Sequence, residues 1–421
     1  MNRPFNLLGV LLLTLTAACS ALPGAGNPPA TATATPGPAA TPTVTPEPPS
    51  GPLTLEVWVP PQFDPAVESD AAALFRARLA EFSTRHPGVR VTVRVKAVSG
   101  SGGLLESLTA AAAAAPLALP DLVALPPDGL DTAASRGLIQ PLDEWLANPD
   151  DDDWYPFAAE FARIDEAVYG LPFAADILTL AYRPSLLEIA PVSWAAALEM
   201  NGPLAFAAAN PEAPFTLALY MARGGAITDE DGRVTLEQEQ LQAVFAYYEE
   251  ASQTGLMPVW LTQNQETEQT LTALGEGRAP MGVVWMTDLL QANDALFASA
   301  SLPTHNGQPF TLASGWAWAL AGQDADRHAI SVELAEFLTA PEFMQPWTRA
   351  AGVLPPRPSA LQTDLAHLAV AAQSLPVARL LPAPALLDRI GPALANATVA
   401  VLKQELSAAD AAAQAVDEVS P

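Results

Sequence analysis

Few side chains in this sequence stand in a pattern that makes or breaks bonds. His86, His305, His328 and His367 are scattered, and none belongs to an H-E-x-x-H pair that would put two imidazoles on one helical face for zinc. The four aspartates at 150–153 lack the alternating oxygens and distal glutamate of a calcium-binding helix-loop-helix, so they read as loop and helix-start charge. Gly100-Ser101-Gly102-Gly103 is a lone glycine cluster and reads as a flexible loop, because neither a P-loop nor a G-x-S-x-G elbow is present. No catalytic set, metal site or cofactor is nominated. The paired carboxylates of a glycosidase have a spacing only in the fold, so a surface enzyme acting on glycosides stays open as a lesser alternative.

The net charge of -27 argues against nucleic acid and against anionic lipid as partners, since phosphates would be repelled over the whole surface. With 421 residues, half of them hydrophobic, the chain is long enough for two separate cores. Cys19 is the single cysteine, which rules out an intrachain disulfide and a cysteine-ligated zinc. Its position carries the meaning instead. Arg3 opens a short positive start, and the apolar run from Leu7 to Thr16 is too short to cross a bilayer as a helix, as expected of a secretory leader. Leu15-Thr16-Ala17-Ala18-Cys19 then resembles the bacterial lipoprotein box, which implies a leader over 1–19, lipidation of Cys19 and a membrane anchor. Residues 20–52 carry almost no large apolar side chain and cannot offset their own ordering entropy. They are expected to form a disordered Pro/Thr/Ala-rich tether reaching on the order of 100 Å.

Beyond the tether the elements alternate. Leu53 to Val59 reads as a strand, and Ala71, Leu74, Phe75, Leu79 and Phe82 fall on one face of a helix that Pro87-Gly88 ends. Val89, Val91, Val93 and Val95 alternate with Arg90, Thr92, Arg94 and Lys96, which predicts a strand with one wet face. An alanine-rich helix from Leu104 to Ala115 leads to a short buried strand over 121–125, and a helix closed by Gly137 follows. This order predicts an α/β fold whose ligand sites lie at the carboxyl ends of the strands.

From Val168 the chain reads Val168-Tyr169-Gly170-Leu171-Pro172-Phe173-Ala174-Ala175-Asp176-Ile177-Leu178-Thr179-Leu180-Ala181-Tyr182-Arg183-Pro184. Pro191-Val192-Ser193-Trp194, then Gly277-Arg278-Ala279-Pro280-Met281-Gly282-Val283-Val284-Trp285, Gly315-Trp316-Ala317-Trp318-Ala319-Leu320 and Ala335-Glu336-Phe337-Leu338-Thr339-Ala340-Pro341-Glu342 follow in order. Together these segments resemble the family 1 extracellular solute-binding proteins of ABC importers, the maltose-binding-protein-like group. The resemblance implies a two-lobe periplasmic-binding-protein (type II) fold, each lobe a mainly parallel sheet flanked by helices. Lobe 1 would hold 53–174 plus 310–355, and lobe 2 would hold 175–309 plus 356–421. It also implies a monomeric binding protein, not an enzyme, at the outer face of the cell membrane. Its partners would be a small polar solute, expected to be a sugar or oligosaccharide, and the permease subunits of an ABC importer; with 19 Lys and Arg among 46 acids the chain offers few cations for a phosphate ligand. The alternative is the same kind of protein serving a sensor or adhesion system.

A sugar offers hydroxyls and flat C–H faces, so its site needs planar apolar walls and a few strong acceptors or donors. The resemblance points to Asp176, the acidic residue inside the apolar crossover, as the sugar-contacting carboxylate. Trp58 and Phe63 flank the turn after the first strand, Trp285 ends its strand, and Trp316 follows Gly315 on the return strand; all four are expected at the cleft. Arg223, in Arg223-Gly224-Gly225, marks either a close backbone approach to ligand or a helix end. Tyr155 is a further candidate, and Arg357 reads as a solvated charge.

Overall fold

The computed structural model describes residues 52–419. The leader, Cys19 and the tether as far as Gly51 lie outside them. The strands are β1 (Leu53–Val59), β2 (Val89–Val95), β3 (Leu122–Leu125), β4 (Arg163–Ile164), β5 (Ala167–Val168), β6 (Gly170–Tyr182), β7 (Leu204–Ala205), β8 (Met281–Trp285), β9 (Ala298–Ala300), β10 (Leu312–Leu320) and β11 (Arg379–Leu380). β4 and β5 form a small separate hairpin. The remaining strands run β2-β1-β3-β10-β6-β8-β7, with β11 on β10 and β9 on β6.

The alternating valine strand β2 is the edge of this path, and its Arg90, Thr92 and Arg94 face water. β3 lies between β1 and β10 and is buried at all four positions, as a strand covered on both faces must be. Pairing is parallel among β2, β1 and β3, between β7 and β8, and between β10 and β11. It is antiparallel between β10 and both β3 and β6, and between β6 and both β8 and β9. The reason is the path of β6, whose first part, to Ile177, pairs with β10 while its last five residues pair with β8. One continuous strand thus passes from one half of the molecule into the other.

The hydrophobic interior divides accordingly. Two clusters cover the two faces of the first sheet: one gathers Val57, Phe75, Phe82 and Trp318, the other Trp58, Leu104, Leu108 and Val123. A separate cluster built around Phe206, Phe215, Tyr248 and Leu394 forms the second core. Its helix Pro384–Leu402 is long and apolar enough to cross a membrane, but Ile390, Leu394 and Val401 are wholly buried within this core. Where the halves meet, Ala175, Ile177, Ala313 and Leu354 pack together, and Ala175 and Leu354 exchange backbone hydrogen bonds of 2.7 and 2.9 Å. The chain is therefore the two-lobe α/β fold.

The helix Asp70–Arg85 starts at Ser69, whose hydroxyl accepts the Ala72 N–H, and buries Phe75, Leu79 and Phe82 at helical spacing. The helix Pro127–Ser135 gives way to Gly137 at φ 65°, a left-handed position that glycine adopts without strain. Arg357 does not extend into solvent as expected. It is buried, its guanidinium lies 3.6 Å over the Trp154 ring, and its Nη1 stands 2.6 Å from Asp151 and 3.7 Å from Asp153. The aspartate loop before the helix Pro156–Ala162 supplies these counter-charges.

Candidate functional site

A cavity of about 550 Å3 opens between the two cores, lined by both halves and by the strands that join them. Its floor is where β6 and β10 pair. Asp176 stands opposite Ser314 in the register, and both line the cavity. Two residues on, Trp316 pairs with Ala174 but Ala317 pairs with Pro172, so Phe173 is an extra residue and the ladder bulges. Bulges redirect side chains locally. The neighbouring Gly315 is required there, since a Cβ on it would fall 2.3 Å from the Ala174 carbonyl oxygen. Trp316 lines the cavity with Phe63 edge-on behind it, at 5.7 Å and 88°. Phe63 also borders the cavity, and packs in turn on Phe173 at 5.1 Å and Trp347 at 5.5 Å, an apolar pedestal that fixes the wall.

The opposite wall begins where β8 ends. Trp285 is its last residue, and its N–H donates to Asp288 at 3.3 Å as the helix Met286–Ala292 starts. The next N–H but one, that of Thr287, donates to Asp176 Oδ1 at 3.0 Å, and the Ile177 N–H donates to the same oxygen at 2.8 Å. Desolvation pushes the Asp176 carboxyl up to about 7. Hydrogen bonds from Thr287 and Ile177 oppose that rise, and the Asp288 charge adds to it.

Two further carboxylates line the cavity, one from each half. Asp128 sits in the first turn of the helix Pro127–Ser135, directly beyond the carboxyl end of β3. Glu212 lies in the turn before the helix Pro214–Ala222, next to Ala213, which holds a left-handed φ of 46°. Gly391 lets this turn approach, for a Cβ there would meet the Pro211 carbonyl oxygen at 2.2 Å. Desolvation and then the Asp128 charge, followed by Glu266 and Asp388, hold Glu212 above the usual carboxylate range. Among the described residues the cavity lining includes no Lys, Arg or His. Such a lining accepts hydroxyl donors and opposes phosphates. Asp128, Glu212, Thr287 and Gln291 were not singled out from sequence, although Asp128 follows the rule that ligands sit beyond the strands' carboxyl ends.

Four sequence candidates, Asp176, Trp285, Trp316 and Phe63, come together at this cavity. The other three stand elsewhere. Trp58 is 3% exposed and packs with Leu104 and Val123 under the other face of the sheet, with its Nε1 donating to Glu56 at 2.7 Å. Side chains alternate along β1, and helices cover both faces, so this tryptophan has no route to the cleft. Tyr155 is also buried, stacked on Phe157 at 6.3 Å in the cluster between the lobes, and its N–H donates to the Pro356 carbonyl at 3.1 Å. Arg223 ends its helix, donates to Gln240 at 3.2 Å and lies 5.9 Å from the Trp194 ring. Gly225 serves packing, since a Cβ there would meet the Tyr220 ring at 2.4 Å. The helix-end reading of this segment is the one the geometry supports.

Solved structures share this architecture. The cyclo/maltodextrin-binding protein complexed with maltotetraose superposes with a TM-score of 0.72 at 20% identity, covering 89% of this chain and 98% of that one. The sugar-binding protein MalE from the phytopathogen Xanthomonas citri gives 0.72 at 19% identity over 87% and 97%. The cyclic alpha-maltosyl-1,6-maltose binding protein from Arthrobacter globiformis gives 0.70 at 20% identity over 88% and 98%. At such identities the likeness establishes the fold. No curated protein sequence matches the chain. The family profile described as bacterial extracellular solute-binding protein matches residues 77–373, well over half of the sequence, and the chain belongs to that family.

Proposed function

We propose that this protein captures a neutral sugar or oligosaccharide outside the cell and delivers it to the permease subunits of an ABC importer. The supporting observation is the cavity between the lobes, which Trp285 and Trp316 line together with carboxylates contributed by both halves and by the crossing strand. Rings take the C–H faces of a pyranose, and Asp128, Asp176 and Glu212 accept its hydroxyl protons. The related structures named above include a cyclo/maltodextrin-binding protein and a cyclic alpha-maltosyl-1,6-maltose binding protein, which supports the same ligand class.

Capture would proceed by closure of lobe 1 (53–174 plus 310–355) onto lobe 2 (175–309 plus 356–421) about the extended crossings. A guest favours the closed form only to the extent that it gains contacts to both walls, so contributions from both sides are the working feature of the site. The family places the protein on the extracellular or periplasmic side, and its members are binding proteins. In this reading acylated Cys19 anchors the protein to the membrane, and residues 20–52 hold the body clear of it.

A thermal-shift comparison of maltotetraose, other neutral sugars, amino acids and spermidine tests the assignment. A sugar present at one hundred times its Kd should stabilise the protein by about 2.7 kcal/mol and raise the melting temperature accordingly. A shift with spermidine and none with any sugar would overturn the carbohydrate reading.

A further inference from the structure

At Gly352 the two halves come into direct contact with no side chain on one side. Gly352 follows the helix Pro341–Ala351, which belongs to the first core through Phe343 and Trp347. It faces Gln291, on the helix Met286–Ala292 of the other wall. A Cβ at Gly352 would fall 2.8 Å from Gln291 Cγ, 3.2 Å from its backbone nitrogen and 3.4 Å from its Cα. The obstacle is thus partly helix backbone, which cannot rotate out of the way as a side-chain tip can. Gln291 and Val353, the residue after the glycine, border both the central cavity and an outer groove of about 700 Å3. The contact therefore stands on the rim of the cleft, at the partition between the cavity and the groove.

We propose that Gly352 is a positioning and specificity-determining residue: its missing side chain sets how closely the two walls approach at this rim, and hence how thin a guest both walls can grip together. This rests on the two-lobe capture reading above. Repulsion between overlapping atoms rises steeply, so a side chain at 352 would hold the rim apart. Contacts deeper in the cavity, at Asp176 and Trp285, would then lose their counterparts across the gap. The φ of 66° at Gly352 supplies a second reason for glycine, and the two must be separated experimentally.

The test is a cycle of Gly352→Asn and Gln291→Ala, singly and together, with maltotetraose as probe and small-angle scattering of the ligand-free protein as a second readout. Asparagine tolerates the left-handed region, so Gly352→Asn adds bulk with little backbone penalty. It should raise the radius of gyration and weaken maltotetraose binding about tenfold, the lower end of what overpacking a closed contact costs. In the Gln291→Ala background, where Cγ is gone, the same substitution should have a clearly smaller effect. Gln291→Phe enlarges the contact from the helical side without touching the left-handed residue, and it should reproduce the expansion even if Gly352→Asn folds poorly. Equal losses in both Gln291 backgrounds, or an unchanged radius of gyration in both enlarged variants, would overturn the inference. If no form binds any sugar, the carbohydrate reading fails while scattering still decides the role of Gly352.

Discussion

Asp176 and Arg357 are charged groups within three residues of the same crossing, the place where Ala175 and Leu354 bond to each other. Their surroundings are opposite. Arg357 has Asp151 and Asp153 as counter-charges at Nη1 and Trp154 beneath its plane, while its buried Nε has no acceptor. Asp176 has no ion-pair partner among the described residues, receives backbone N–H groups on one oxygen, and borders the cavity. Desolvation therefore penalises its charge instead of being offset by a cation. A charge whose partners all come from the protein belongs to the scaffold. A charge left short of partners beside a cavity keeps bonding capacity for a guest.

The largest expected effect is on the scaffold side. Arg357→Ala leaves two carboxylates facing a void and strips Trp154 of its cover, so unfolding in urea should show a loss of about 3 kcal/mol. The protein that remains folded should bind maltotetraose, the probe of the proposed sugar site, almost as before. A loss below about 1 kcal/mol would mean that the pair behaves like an exposed one, and the contrast with Asp176 would fail.

On the other side, Asp176→Asn keeps the shape and removes the charge. Hydrogen bonds to charged groups are worth more than neutral ones by about 1.4 kcal/mol, so affinity for the sugar should drop about tenfold by calorimetric titration. Folding stability at neutral pH should not decrease, because the ionised carboxylate is paying a desolvation penalty in the native protein. A stability loss comparable to that of Arg357→Ala would place Asp176 in the scaffold instead.

The same contrast explains what could be read in the sequence. β2 was legible because its valines alternate with charges, and the crossing strand was legible because one acid interrupts a long apolar run. Both signals are local. Whether a charge or a ring ends up satisfied depends on residues far away in the chain. Arg357 read as solvated since nothing near it is acidic; its partners arrive from the loop at 150–153 through the fold. Trp316 and Trp318, two residues apart on β10, differ for the same reason. Trp318 is stacked on Phe173 at 4.3 Å in the core, whereas Trp316 sits beside the bulge and reaches the cavity. Glu212 was missed because the turn that presents it is fitted against Gly391, a contact no local pattern announces.

The last effect is a dependence on pH. The Asp176 carboxyl titrates near 7 in the folded protein and at the ordinary 3.8 when unfolded, so between these values the native state holds a proton that the unfolded chain has released. Stability contributed by this group is therefore present at low pH and declines as pH rises through about 4 to 7, the reverse of a salt-bridged aspartate. Binding should run the other way. The ionised carboxylate is the stronger acceptor for a sugar hydroxyl, so affinity should fall as pH drops below about 7. Asp176→Asn cannot titrate, and both slopes should flatten in it over that window. Melting curves and titrations of the two proteins at several pH values check this directly. Identical slopes in the variant would show that another group, such as Asp288 or Glu212, whose carboxyls are also raised, governs the proton linkage of the cleft.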